Sequence, residues 1–187
     1  MTRVPGKILA IAAGVCLFSL CALAGGAPAF VTDHSSPPAS TIPVGLVPVF
    51  EAAVTASPCG LPWTLLAAVA ATESAFDPTA VSSAGAEGLF QFEPATFAEY
   101  ASPVPADGAD PPSPFDPVDA AYAAGRYLCS LGVVENPSLA LVVYNCGNLG
   151  PACQAASAGY AEKVLFTAAG YAAADTGSAP TTDPGAP

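Results

Sequence analysis

The sequence predicts a mainly α-helical protein with one folded domain. Along several segments, apolar residues recur at intervals of three and four, which is the spacing of one face of an α-helix. Prolines stand at the start of most of these segments, where the first helical turn accepts them. No segment alternates strictly between apolar and polar residues, as a half-buried strand does.

The N-terminus has the pattern of a secretory signal peptide. Arg3 and Lys7 precede an apolar run over residues 8–24, and small residues follow as far as Ala29. This order predicts a signal over residues 1–29, with cleavage after its last residue. The apolar run is near the lower length limit of a membrane span, so an uncleaved signal acting as a membrane tether is the alternative. In either case we expect a secreted or cell-envelope protein.

Composition divides the rest of the chain into three parts. Residues 30–43 are rich in Ser, Pro and Thr, which predicts a linker. Residues 174–187 consist mostly of Ala, Gly, Pro, Thr and Asp, which is typical of a disordered tail. The folded domain is therefore expected over residues 44–173, a length that can bury one hydrophobic core.

The first two predicted helices begin the domain. Val47, Phe50 and Val54 recur at helical spacing and define the first. The second opens at Pro62, and Asp77-Pro78 ends it, because the residue before a proline disfavours the helical conformation. One face of this second helix carries Trp63, Leu66, Ala70 and Glu73.

Four further helices are predicted downstream. They cover residues 94–100, 117–131, 137–144 and 158–173, and the first three begin at a proline. Residues 102–117 are rich in proline and predict an irregular surface loop. In the last helix, Tyr160, Val164 and Leu165 are expected to face inward.

The charge of the chain excludes some classes of partner. Four basic residues stand against fifteen acidic ones, which gives a net charge of −11. After removal of the signal, only Arg126 and Lys163 are basic. Such a chain cannot supply the phosphate contacts that nucleic acids require, and anionic lipid would repel it. A ligand is therefore expected in a specific cleft.

Four of the six cysteines lie in the predicted domain: Cys59, Cys129, Cys146 and Cys153. An even number in an exported chain predicts two disulfide bonds, for which three pairings are open. We favour Cys59 with Cys129 and Cys146 with Cys153. Metal ligation is less favoured, because no Cys-x-x-Cys pair occurs and His34, the single histidine, lies in the predicted linker. We expect no metal and no cofactor.

Glu73 is the first candidate for chemistry. It lies near the end of the second helix, where Ala70, Ala71, Ala75 and Phe76 offer little solvation. A carboxyl group in apolar surroundings, near the negative end of a helix dipole, tends to keep its proton, as a general acid must. On position alone, a solvated carboxylate without a chemical role is the alternative.

Five short motifs then follow one another along the domain. They are Glu73-Ser74, Gly88-Leu89-Phe90-Gln91, Pro94-Ala95-Thr96, Tyr127-Leu128 and Tyr144-Asn145-Cys146-Gly147. In this order they resemble the motifs of the lytic transglycosylase family of the bacterial cell wall, the soluble-lytic-transglycosylase domain. The resemblance covers most of the domain and implies a lysozyme-like fold, related to goose-type lysozyme, with a catalytic cleft. Phe90 replaces the usual Met, and Cys146 replaces the usual Ala.

The resemblance implies cleavage of the MurNAc–GlcNAc β-1,4 bond of peptidoglycan without water. Glu73 would first act as the general acid and then as the base that closes a 1,6-anhydro ring. Because ordinary glycosidases need two carboxyl groups, a single carboxyl with both roles fits the sequence. Asp77 is expected in a turn, and Glu87 is expected to be solvated. Glu93 could face either the sugar or solvent, and we favour solvent.

The resemblance also implies a set of substrate-binding residues: Ser82, Gln91, Tyr144, Asn145, Phe90 and Phe92. Ser82 and Gln91 would contact the sugar, and Tyr144 would hydrogen-bond to or orient Glu73. Each has a structural alternative, namely a turn serine, a core tyrosine, an asparagine at a helix end, or core packing for the aromatic rings. Ser74 is expected to hold local backbone.

We therefore expect an enzyme that binds peptidoglycan glycan strands and acts as a monomer. A hydrolytic muramidase on the same fold is the nearest alternative. A wall-binding module without turnover is the alternative from another class.

Overall fold

The computed structural model describes residues 41–177. The predicted signal, residues 1–29, lies outside this range, as do most of the predicted linker and most of the predicted tail. The boundaries at which these segments meet the domain stay predictions.

The described residues form a mainly helical domain, as predicted. After a 3-10 turn at Val44–Leu46, six α-helices follow: α1 (Val47–Thr55), α2 (Trp63–Ser74), α3 (Pro94–Tyr100), α4 (Pro117–Ser130), α5 (Pro137–Cys146) and α6 (Pro151–Gly177). Within residues 41–177 the only extended pairing is a pair of antiparallel bridges, which join Val81 to Glu87 and Glu87 to Phe92. None of the helices in this range combines the length and apolarity needed to cross a membrane.

The helices α3, α4 and α5 start at the prolines where the sequence predicts. At α4, the carboxylate of Asp116 accepts hydrogen bonds from the backbone N–H groups of Val118 and Asp119. At α5, the side chain of Asn136 accepts from the N–H of Leu139. These caps satisfy donors that the first helical turn leaves without a partner, so at α4 and α5 a side chain acts together with the proline to fix the helix start.

The predicted end of α2 and both predicted boundaries of α6 are wrong. The helix α2 ends at Ser74, before Asp77-Pro78, because Ala75 and Phe76 adopt left-handed backbone conformations with φ of 52° and 67°. The helix α6 begins at Pro151, seven residues before the predicted start at residue 158. It also continues to Gly177, past residue 173.

The helix α2 is the centre of the core. Residues 64–70 of α2 are all buried, and Leu66 through Ala70 have no exposed surface. Most of these side chains are small, which lets the neighbouring helices approach closely; α6 and α1 make the most extensive contacts with α2. Only in its last turn, at residues 71–74, does α2 become half-exposed.

A chain of aromatic rings packs beside α2. The rings of Phe50 and Phe90 lie 6.2 Å apart, those of Phe90 and Phe92 6.5 Å, and those of Phe92 and Tyr127 6.4 Å. The rings of Tyr127 and Tyr144 follow at 5.3 Å. All five side chains are fully buried, so this row of aromatic rings joins α1, α4 and α5 to the segment between α2 and α3.

The favoured disulfide pairing is confirmed. Cys59 bonds to Cys129, which ties the α1–α2 connection to the end of α4. Cys146 bonds to Cys153, which ties the end of α5 to the first turn of α6.

The two disulfides are expected to stabilise the domain unequally. They span 70 and 7 residues, and the longer loop costs the unfolded chain more entropy. Replacing Cys59 and Cys129 together by Ser should lower the free energy of unfolding by about 4 kcal/mol, and replacing Cys146 and Cys153 by about 2 kcal/mol. Denaturant titration of the two double variants and the parent protein measures both losses. An equal or larger loss for the short loop would contradict this expectation.

Candidate active site

Glu73 lies in the last turn of α2, where the helix emerges from the core. Its side chain is half-buried. The hydroxyl of Tyr160, on α6, donates a hydrogen bond of 2.7 Å to Oε1 of Glu73. This contact joins residues that are 87 positions apart, and the packing of α6 against α2 brings them together.

The two tyrosines near Glu73 remain protonated donors. Burial raises the pKa of Tyr160 well above its usual value, and the negative charge of Glu73 raises it further. The pKa of Tyr144 is raised by the same two causes in the same order. A neutral phenol is therefore the stable form at both positions at physiological pH.

Ser74 holds the end of α2, as predicted. Its hydroxyl makes a hydrogen bond of 2.8 Å to the carbonyl oxygen of Leu89 and a longer contact of 3.3 Å to that of Ala70. The first contact attaches the turn that contains Leu89 to the helix end next to Glu73.

Residues 80–92 form a compact turn beside this helix end. The backbones of Glu87 and Phe92 exchange two hydrogen bonds of 2.9 Å, and the N–H of Gly88 donates to the carbonyl of Ala80 at 2.8 Å. The side-chain amide of Gln91 donates to the carbonyls of Gly88 (3.0 Å) and Ala80 (3.2 Å). Gln91 is buried and has a left-handed backbone, with φ of 49°. Its amide nitrogen therefore holds the turn together from inside.

Ser82 and Asn145 also make structural contacts. The hydroxyl of Ser82 accepts a hydrogen bond from the N–H of Ala86 within the turn. The amide nitrogen of Asn145 donates to the hydroxyl of Ser157 on α6 at 2.8 Å. Asn145 therefore links α5 to α6. The alternative predicted for it was a contact with the backbone at the helix end. Both side chains are half-buried, and their contact with a sugar stays a prediction.

Tyr144 contacts the 80–92 turn from the core of the domain. It is fully buried, and its hydroxyl donates to the carbonyl oxygen of Phe90 at 3.0 Å. Burial raises the pKa of Tyr144, and the negative charge of Glu73 raises it further. The predicted role of Tyr144 in orienting Glu73 stays a prediction.

Phe90 and Phe92 do not have the positions expected of residues that line a cleft. Neither side chain has any exposed surface, because both belong to the aromatic chain in the core. Side chains in this position support the turn from inside and have no surface to offer a sugar. We therefore leave both out of the proposed binding residues.

Three further acidic residues, Asp77, Glu87 and Glu93, follow Glu73 in this part of the chain. Asp77 is exposed, and its carboxylate accepts hydrogen bonds from the N–H (2.8 Å) and the hydroxyl (2.7 Å) of Thr79, which lower its pKa. This is the predicted turn role. Glu87 and Glu93 are half-buried, where full solvation was expected. Within residues 41–177 no three His, Cys, Asp or Glu side chains are grouped to hold a metal ion.

Tyr160 is the site residue that sequence reasoning did not single out. Its inward orientation was predicted from helical spacing, but its partner was not. A polar aromatic residue on the inner face of a helix needs a partner for its hydroxyl, and that was the available signal. The identity of the partner depends on how two distant helices pack.

The fold and the ordered motifs now define the class of this protein. Residues 52–166 match the family model of the transglycosylase SLT domain. The match covers more than half of the chain, and the chain belongs to this family.

Solved structures show the same fold. The 70-kDa soluble lytic transglycosylase from Escherichia coli matches with a TM-score of 0.58 and 21% identity over 72% of this chain. The complex of the 70-kDa soluble lytic transglycosylase with bulgecin A matches with a TM-score of 0.58 and 23% identity over 72% of this chain. In both cases the match covers 25% of the other chain, so this chain spans only part of those proteins. Comparison with curated protein sequences gave no significant match.

The surroundings of Gly85 and Gly88 show how closely the 80–92 turn is packed. Gly88 and Gly85 both have left-handed backbones, with φ of 71° and 85°. A Cβ at Gly88 would overlap the carbonyl oxygen of Pro114, whereas a Cβ at Gly85 would meet nothing within 4 Å.

Gly88→Ala should therefore destabilise the domain more than Gly85→Ala. Both variants carry the cost of a left-handed alanine, about 1 kcal/mol. Gly88→Ala adds an overpacking cost of about 1–3 kcal/mol. Thermal or denaturant unfolding of the two variants gives the difference. Equal losses would show that the contact with Pro114 is not tight.

Proposed function

We propose that this protein is a peptidoglycan lytic transglycosylase that cleaves the MurNAc–GlcNAc β-1,4 bond without water. The observation that carries the proposal is the hydrogen bond from Tyr160 to Glu73 at the exposed end of a buried helix. Membership of the transglycosylase SLT family supports the reaction class. Both similar structures are of a 70-kDa soluble lytic transglycosylase, which agrees with it.

In the first step, Glu73 acts as the general acid. Its proton passes to the glycosidic oxygen while the bond between that oxygen and C1 of MurNAc breaks. The GlcNAc unit leaves with a free hydroxyl. The 2-acetamido group of MurNAc stabilises the oxocarbenium-like centre, so the chain need not supply a second carboxylate for this purpose.

In the second step, the same carboxylate acts as the base. Glu73 takes the proton from the C6 hydroxyl of MurNAc, and the oxygen released in this way bonds to C1. The product is a 1,6-anhydro ring, and Glu73 regains the proton that it donated. The two steps balance without water.

Tyr160 positions Glu73 for both steps. Because Oε1 already accepts the hydrogen bond from Tyr160, the transferred proton is carried by Oε2. The hydrogen bond also restricts rotation of the carboxyl group. Because its pKa is raised, Tyr160 stays neutral and does not compete as an acid at physiological pH.

The setting of the enzyme follows from the same family. We propose that it acts outside the cytoplasm on glycan strands of peptidoglycan, as a monomer and without a cofactor. Two disulfides between buried or half-buried cysteines support an oxidising compartment.

Glu73→Gln should abolish release of soluble glycan from purified peptidoglycan, since the amide carries no transferable proton. We expect a loss of at least about 10²-fold in kcat. Glu99→Gln is the matched control, because Glu99 is exposed on α3, and it should keep full activity. Parent-like turnover by Glu73→Gln would exclude the mechanism.

The product mass decides between the two reactions open to this fold. Anhydro ends lack one water relative to hydrolytic ends, so mass spectrometry of the digest should show anhydro-MurNAc fragments. Exclusively reducing ends would identify a hydrolytic muramidase. No soluble fragments from the folded parent protein would indicate a binding module.

Tyr160→Phe should lower kcat about tenfold with little change in KM. The variant keeps the aromatic ring and loses one hydrogen bond to the carboxylate that forms as Glu73 transfers its proton, and about 1.5 kcal/mol is typical for a hydrogen bond to a charged group. Tyr122→Phe is a matched control, since Tyr122 is half-buried on α4. Steady-state rates on a soluble glycan measure both. Unchanged kcat in Tyr160→Phe would show that the contact does not serve the reaction.

A further inference from the structure

The loop between α3 and α4 (residues 101–116) is attached to the domain by a buried carboxylate. Asp119, in the first turn of α4, is 1% exposed. Its Oδ2 accepts hydrogen bonds from the N–H groups of Ala109 (3.1 Å) and Ser113 (2.9 Å). Gly108 lies so close to Oδ1 that a Cβ there would overlap it. These contacts attach the middle of the loop, which contains no helix, to the start of α4.

The end of this loop packs against the turn beside Glu73. The carbonyl of Pro114 covers Gly88, and the backbone nitrogen of Phe115 lies 3.4 Å from where a Cβ of Gly88 would be. Gly88 precedes Leu89, whose carbonyl accepts the hydrogen bond from Ser74. A continuous set of contacts thus runs from Asp119 through the loop to the residue next to Glu73.

Phe115 is an exposed aromatic side chain at this junction. It is 38% exposed, whereas the nearby Phe90, Phe92 and Phe97 are buried. Val81, which is bridged to Glu87 in the same turn, is 63% exposed. Two exposed apolar side chains therefore flank the turn that lies beside the proposed acid.

We propose that Phe115 contacts a sugar ring of the glycan strand next to the bond that is cleaved. The inference rests on the proposed function and adds a substrate-contacting residue that the ordered motifs do not contain. Ligand clefts are lined mainly by apolar and aromatic side chains, and the face of an aromatic ring fits the C–H face of a sugar. The anchoring of the loop by Asp119 fixes Phe115 before substrate binds, so the contact costs little ordering entropy.

Binding without chemistry gives the sharpest test. In the Glu73→Gln background, a soluble GlcNAc–MurNAc oligosaccharide is titrated by calorimetry. Phe115→Ala should weaken its binding about three- to tenfold, the range for loss of an aromatic contact. Phe115→Tyr should restore the affinity, because it keeps the ring. Phe166→Ala is the matched control, since Phe166 is 52% exposed on α6, and it should bind as the background protein does.

Asp119 is tested as a positioning residue. Asp119→Ala leaves two N–H groups of the loop without their acceptor and should weaken binding as much as Phe115→Ala, although Phe115 is intact. Asp119→Asn keeps an acceptor oxygen and should bind better than Asp119→Ala. In the active enzyme, Phe115→Ala should raise KM by the same factor and leave kcat nearly unchanged. Unfolding curves check that each variant is folded.

The outcomes separate this inference from the proposed function. Affinity and KM of Phe115→Ala equal to those of Phe166→Ala would overturn the contact, whatever reaction the parent protein catalyses. A loss of oligosaccharide affinity in Phe115→Ala, with no anhydro product from the parent protein, would support the contact and contradict the reaction. Failure of the oligosaccharide to bind the Glu73→Gln protein would contradict the contact, whereas anhydro product from the parent protein would still support the reaction.

Discussion

The burial of α2 is the constraint on which the rest of the structure depends. From Leu66 to Ala70 the helix has no exposed surface, so it is enclosed along most of its length. Its small side chains permit that enclosure, because a helix surrounded by other elements has room for few large residues. A charged side chain is tolerated only where the enclosure ends. Glu73 stands there, and the left-handed residues Ala75 and Phe76 turn the chain away immediately afterwards.

Two separate parts of the chain then meet at that helix end. The 80–92 turn arrives through the hydrogen bond of Ser74 to Leu89, and α6 arrives through that of Tyr160 to Glu73. Tyr144 and Asn145 on α5 connect to these two parts in turn, the first to the turn and the second to α6. The motif residues therefore form one connected frame around a carboxyl group. Ser82, Gln91 and Asn145 make hydrogen bonds within this frame, and their contact with a sugar stays a prediction.

What the sequence could predict follows from how local each signal is. The starts of α3, α4 and α5 were predictable because proline fixes its own φ and is accepted in the first turn. The end of α2 was not, because its left-handed residues are an alanine and a phenylalanine, which rarely adopt that conformation and do so here under tertiary constraint. For Phe90 and Phe92 the sequence left core packing and contact with a sugar both open, since an irregular turn has no periodicity that identifies its inner face. The partner of Tyr160 lies 87 residues away, and no local pattern encodes such a pair.

The negative charge of the chain limits the interactions by which this domain can bind a glycan. Beyond the predicted signal the chain has two basic residues against fifteen acidic ones. The guanidinium of Arg126 is half-buried and donates through Nε to the carbonyl of Tyr100, and Lys163 is exposed among Gly159, Glu162 and Phe166 on α6. Attraction for the carboxylates of a wall polymer therefore cannot supply much of the binding energy. That energy must come from neutral hydrogen-bonding groups and from apolar surface that fits sugar rings. Both act only at short range. The residues that line the binding site must therefore be held firmly, as Asp119 holds the α3–α4 loop.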